Sequence, residues 1–140
     1  MDTPELSISN VNVFDSVDGR ITGPMNVTVR SGVITEVTPK ESTEFSGPKI
    51  DGTGKTLLPG LIDAHWHAMF ATVPATVAQL GELGYVYAKA VVGARETLLR
   101  GFTAVRDLGG PVFGIKQAID EGVIAGPRIY PAGGFISQTG

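Results

Sequence analysis

The stretch Leu58-Pro59-Gly60-Leu61-Ile62-Asp63-Ala64-His65-Trp66-His67 decides how the rest of the chain is read. Pro-Gly marks a turn, and the apolar run behind it has the length of a short buried strand. Successive side chains of a strand leave on opposite faces, so Asp63, His65 and His67 share one side while Trp66 points under the helices. Imidazoles two residues apart on a strand start about 6.5–7 Å apart at the backbone. Rings turned toward each other can each bring a nitrogen to about 2.0–2.1 Å from one zinc-like ion. These are the two histidines of the chain. A lone histidine at a strand end is more often solvated than ligating, but a pair at this spacing reads as half of a metal site. An open catalytic zinc site takes three protein ligands, so further ligands must come from elsewhere.

At 140 residues, 42% hydrophobic and 18% charged, the chain has the length and composition of one ordinary domain with a core. A net charge of −3 gives no electrostatic ground for nucleic-acid binding. Absence of cysteine excludes disulfides, thiolate nucleophiles and Cys-ligated zinc. The apolar runs are far shorter than the about 20 residues of a membrane span. Met1-Asp2-Thr3-Pro4-Glu5 lacks the basic-then-apolar pattern of a signal peptide. A cytoplasmic protein is expected, or a periplasmic or secreted one if a leader has been removed.

Residues 1–57 read as a small antiparallel β module. Leu6 to Phe14 alternates as a strand with a register change near Asn10, and Asp18-Gly19 marks a turn. Asn26–Arg30, Ser31-Gly32 and Val33–Val37 form a hairpin signature. Pro39 to Pro48 is polar and reads as a loop. Asp51-Gly52-Thr53-Gly54-Lys55-Thr56 resembles the end of a phosphate-binding loop, but that pattern needs glycine where Lys49 stands. It also needs a helix where Pro59-Gly60 stops one, so a connecting turn is the better reading.

Residues 58–140 alternate between strand and helix. Thr72 or Thr76 is a candidate N-cap with Pro74 in the first turn. Val77 to Leu99 reads as helix with a break or kink at Gly81 or Gly84. Val86, Ala90, Gly93, Ala94, Thr97 and Leu98 form its small and apolar face, and Arg100-Gly101 closes it. Phe102–Asp107 is a second buried strand, Val112–Glu121 a second helix and Pro127–Ala132 a third strand. This rhythm implies parallel strands joined by crossover helices, with ligands at strand C-terminal ends as in an α/β barrel.

These residues carry a family resemblance. Leu58 to His67 resembles the first barrel strand of the amidohydrolase superfamily of metal-dependent hydrolases, and Gly52-Thr53-Gly54-Lys55 its lead-in from an N-terminal β-sandwich. Gly101 to Gly110 is similar to the second strand and its loop. Together with Gly126-Pro127-Arg128-Ile129 and Gly133-Gly134, the pattern looks most like the imidazolonepropionase-related branch, with Xaa-Pro dipeptidases and ochratoxin-type amidases. The fold class so implied is α/β: the N-terminal part of a (β/α)8 TIM-like barrel preceded by a small antiparallel β-sandwich module. A closed barrel takes about 250 residues, so the rest is expected from a downstream segment or a companion chain.

The resemblance further implies two divalent metal ions, most often Zn2+, bridged by hydroxide and activated for attack on an amide carbonyl. His65 and His67 are the metal ligands it places here. The catalytic base, a carboxylated lysine and two further histidines lie on strands beyond residue 140. Asp63 and Asp107 are candidates for supporting the ligands, with an ion pair to Arg106 or Arg128 the plainer reading of Asp107. Met69 and Phe70 are candidates for the substrate entrance or for packing. The substrate so implied is a small-molecule amide: a dipeptide or N-acyl amino acid. The alternatives are a cyclic amidase or deaminase of the same superfamily, or a barrel kept for assembly without catalysis. The branch also implies a homo-oligomer.

Overall fold

The computed structural model describes residues 5–39, 45, 47–136 and 138. The chain divides into two compact units, Met1–Pro59 and Gly60–Gly140.

In the first unit, β1 (Leu6–Asp15), β2 (Arg20–Arg30), β3 (Val33–Thr38) and β4 (Lys49–Asp51) form a sheet in the order β3-β2-β1-β4. A short β5 (Thr56–Leu57) also pairs with β1. The expected hairpin is present: Arg30 faces Val33 across Ser31 and Gly32, whose φ values of 50° and 76° suit the tight turn. The register change expected near Asn10 is also present, between Ile8 and Val11. Asn10 has φ 55°, and its N–H donates to the side chain of Asn26 at 3.2 Å. The purely antiparallel module expected from the sequence is not what forms. β4 and β5 both run parallel to β1, so the sheet is mixed. The hairpin signal reports neighbours along the chain; it says nothing about a strand returning to the far edge of β1.

Asp51 confirms the turn that replaces a phosphate loop. Its Oδ1 accepts the Thr53 hydroxyl at 2.6 Å and the Thr53 N–H at 3.0 Å. These bonds, the hydroxyl first, hold the carboxyl below its ordinary pKa.

In the second unit, β6 (Leu61–Trp66), β7 (Phe102–Asp107) and β8 (Arg128–Pro131) are parallel in that order. α1 (Ala75–Leu80) and α2 (Leu83–Leu99) connect the first pair, and α3 (Phe113–Asp120) the second. The face expected for the long helix packs as read, with Val86, Ala90, Gly93, Ala94 and Thr97 buried and Leu98 half-buried. Val86, Ala90 and Ala94 meet Trp66, Met69, Val105, Val112, Ile115 and Ile129 in one core. Gly81, extended at φ −75° and ψ 172°, breaks the helix in two, and Glu82 restarts it by accepting the Tyr85 N–H at 3.0 Å. Neither Thr72 nor Thr76 caps α1; Pro74 occupies that position without a side-chain bond.

β6 departs from the expected buried strand. Only Trp66 of its six residues is buried, and Ile62 is 73% exposed. Among the described residues β6 pairs only with β7, on one side of the strand. Its entry against β7 depends on Gly60: a Cβ there would lie 2.0 Å from Thr103 Oγ1 and 2.7 Å from Thr103 Cβ. Gly60→Ala is therefore expected to lower stability by about 1–3 kcal/mol. Thr103→Ala, which removes the two nearest atoms, should recover part of that loss. Thermal unfolding of the single and double variants checks it, and strictly additive effects would show that the two residues do not meet.

Candidate metal centre

The site is built at the C-terminal ends of the three parallel strands, which are laced together by backbone. Leu108 N–H donates to Trp66 O at 3.0 Å, Ala132 N–H to Asp107 O at 2.8 Å, and Gly110 N–H to Gly133 O at 2.9 Å.

His65 is exposed and His67 half-buried. Their ring centres are 5.3 Å apart and the ring planes cross at 73°. A metal–nitrogen bond of about 2.0–2.1 Å puts an ion about 3.2 Å from each ring centre, so two rings sharing it at a tetrahedral angle stand about 5.2 Å apart. The observed separation fits one shared divalent ion. His67 Nδ1 lies 3.4 Å from Gly109 O. With the Nδ1 proton held there, Nε2 carries the free lone pair, the arrangement common for metal-ligating histidine. Among the described residues no cluster of three or more metal-ligating side chains forms. The two imidazoles are the candidate ligands.

The strand is interrupted where the histidines leave it. Pairing of β6 with β7 shifts between Asp63 and Trp66. Two side chains satisfy the backbone freed by this shift. Asp63 Oδ1 accepts the His65 N–H at 3.0 Å, and Arg106 Nε donates to Ala64 O at 2.8 Å. The role of Arg106 had no signal in the sequence, because it depends on the register of two strands some forty residues apart.

Asp107 is fully buried. Its Oδ2 accepts the Ala68 N–H at 2.7 Å and its Oδ1 the Gly109 N–H at 3.0 Å. This replaces the ion pair with Arg106 or Arg128 that the sequence offered as the plainer reading. Arg106 is engaged by Ala64, and both Asp107 oxygens are spent on backbone donors. One carboxylate therefore ties the residue after His67 to the residue whose carbonyl receives His67.

Met69 and Phe70 part company. Met69 is buried in the core, 3% exposed. Phe70 turns back over the site because its N–H donates to His67 O at 3.2 Å. Its ring meets His67 edge-to-face at 5.7 Å. Phe135, not singled out from the sequence, lies 5.7 Å from His67 and 5.8 Å from Phe70. His67, Phe70 and Phe135 line an open cleft with Ala75, Gln79 and Ile136. A second cavity, of about 470 Å³, lies at the other end of the strands between Thr103, Gly126 and Arg128, away from the imidazoles.

The sequence model of the Amidohydrolase family matches residues 56–139, more than half of the chain. The chain belongs to the amidohydrolase family. Members of this family generally use divalent metals. Ochratoxinase of Aspergillus niger is 34% identical to this amidohydrolase chain over 95 residues, covering 59% of the chain and 18% of the relative. Dihydroorotase of Trichlorobacter lovleyi is 31% identical over 121 residues, covering 86% and 24% respectively. Among solved structures, a prolidase complexed with N-methylphosphonate-L-proline superposes with a TM-score of 0.83 at 31% identity, covering 92% of this chain and 32% of that one. The chain thus spans less than a third of each of these relatives. No helix among the described residues is long and apolar enough to cross a membrane.

Proposed function

We propose that this chain supplies the opening strands of a (β/α)8 barrel in a metal-dependent amide hydrolase acting on dipeptides or N-acyl amino acids. The observation that carries the reading is the pair of crossed imidazoles, 5.3 Å apart where β6 ends, in a chain of the amidohydrolase family. Exposed apolar residues along β6, Ile62 at 73% and Leu61 at 47%, support a sheet that continues with further strands. In this reading the remaining ligands and the general base come from polypeptide beyond these residues, and the complete enzyme is a homo-oligomer.

His65 and His67 would hold one of two divalent ions, zinc in the simplest case. When bound, such ions lower the pKa of water toward neutrality and polarise the scissile carbonyl. The chain's own residues hold the frame. Asp63 and Arg106 fix the backbone from which His65 projects, and Asp107 fixes both the loop after His67 and the carbonyl that orients its ring. Phe70 and Phe135 shield one side of the imidazole from water. A second reading, hydrolysis of a cyclic amide, is favoured by the dihydroorotase relative, whose match covers most of the chain.

The test is zinc analysis and turnover of the protein assembled with the rest of its barrel. Dipeptides and N-acyl amino acids should be cleaved, chelation should abolish cleavage and zinc should restore it. Turnover of cyclic amides alone would favour the second reading. A preparation that binds no divalent metal and cleaves no amide would overturn both.

A further inference from the structure

We infer that the Tyr87 hydroxyl is a positioning group for His67: it anchors the loop Gly109-Gly110-Pro111, whose Gly109 carbonyl sets which ring nitrogen His67 presents. This rests on the reading of His67 as a metal ligand and deepens it. Tyr87 lies on α2, half-buried, with its ring packed against the core. Its hydroxyl donates to Pro111 O at 2.8 Å, across 24 positions of sequence. Apolar packing holds the ring of such a tyrosine, and its one polar atom then fixes whatever stands opposite.

The loop needs that anchor. Gly109 and Gly110 have φ values of +156° and +118°. Two adjacent glycines leave the backbone unusually free, so contacts must decide where the Gly109 carbonyl points. Three donors are already committed. Leu108 N–H goes to Trp66 O at 3.0 Å, Gly109 N–H to Asp107 Oδ1 at 3.0 Å and Gly110 N–H to Gly133 O at 2.9 Å. At Pro111 this series ends, because proline has no N–H. Its carbonyl is the backbone group left to tie down the far end of the loop, and Tyr87 takes it. Val112 N–H turns back to Gly110 O at 2.9 Å, so the anchored carbonyl sits in a tight turn directly after the two glycines.

The effect reaches the imidazole through one atom. Gly109 O lies 3.4 Å from His67 Nδ1, near the upper limit of a hydrogen bond, so a small displacement of the carbonyl loses the contact. With it goes the preference for a proton on Nδ1 and a lone pair on Nε2. Every group in this series lies between Trp66 and Gly133, inside one compact unit. The contacts are therefore complete without strands from elsewhere.

The experiment uses Tyr87→Phe, which removes the hydroxyl and keeps the ring, in the barrel-complete enzyme. Zinc affinity is measured by competition with a chelating indicator. The tautomer of His67 is read from ring nitrogen signals of the metal-free protein labelled with 15N-histidine, assigned by their loss in His67→Ala. The parent should carry its proton on Nδ1. Tyr87→Phe should shift those signals toward a mixture of tautomers and weaken zinc binding about three- to tenfold, less than the roughly 10–100-fold of losing a ligand's direct outer partner. Combined with Asp107→Asn, which loosens the same loop, its effect on affinity should be less than additive. A hydroxyl that merely braces the fold would lower the unfolding temperature and leave zinc affinity within twofold and the nitrogen signals unmoved; that result overturns the inference. If the parent binds no zinc, the metal reading fails and the nitrogen signals decide alone: a shift in Tyr87→Phe upholds the positioning of His67, and no shift overturns it.

Discussion

If His65 and His67 hold zinc as proposed, His65→Ala is expected to cost the assembled enzyme that metal while leaving the fold almost untouched. The side chain is exposed, and its ring makes no hydrogen bond among the described residues, so truncation should change stability of the metal-free protein by no more than about 0.5 kcal/mol. Metal affinity should fall by more than the roughly 10–100-fold that loss of an outer hydrogen-bond partner brings, because a ligand itself is gone. Hydrolysis should fall with it. His67→Ala should do the same to the metal but also removes ring contacts with Phe70 and Phe135, which makes His65 the cleaner test. Elemental analysis and thermal unfolding with and without added zinc separate the two effects. Full zinc content in His65→Ala would remove this residue from the ligand set.

Asp107→Ala should have the largest effect on stability of any single change at the site. It leaves the Ala68 and Gly109 N–H groups without their acceptor, and both residues are buried. Each stranded donor costs about 1–3 kcal/mol, so a total of roughly 2–6 kcal/mol is expected. Asp107→Asn keeps the shape and one acceptor oxygen, and should cost about half as much. The informative readout is the metal. Gly109 carries the carbonyl facing His67 Nδ1, so loosening Gly109 releases the ring that must present Nε2. Zinc affinity of Asp107→Asn should drop about 10–100-fold even at temperatures where the variant is fully folded. Unchanged affinity in the folded variant would reduce Asp107 to a structural residue.

Much of this architecture can be read from local pattern. The period-two runs at Leu6, Asn26 and Phe102 mark strands, and the three- and four-residue spacing from Val86 to Thr97 marks the helix face that does pack. Gly81 and Arg100-Gly101 mark its break and its end. His-x-His behind Pro-Gly marks the candidate ligand pair, and its spacing brings the two ring centres to 5.3 Å. The failures share a different cause. Exposure of β6 depends on which strands lie beside it. The parallel course of β4 and β5 depends on which edge of β1 a distant segment reaches. The division of labour between Met69 and Phe70 follows from the turn after His67, which sends one side chain into the core and the other back over the ring.

What the sequence by itself determined is therefore the order of strands and helices, the identity of the paired imidazoles and the family to which they belong, all of which rest on residues close together along the chain. Only the tertiary structure decided what Asp63, Arg106, Asp107 and Phe135 do. Each acts on backbone or a ring brought near by turns and strand register, and Asp107 reaches Ala68 across 39 positions. A side chain's type shows what it can donate or accept, but which group stands opposite it is settled by the packing of the sheet.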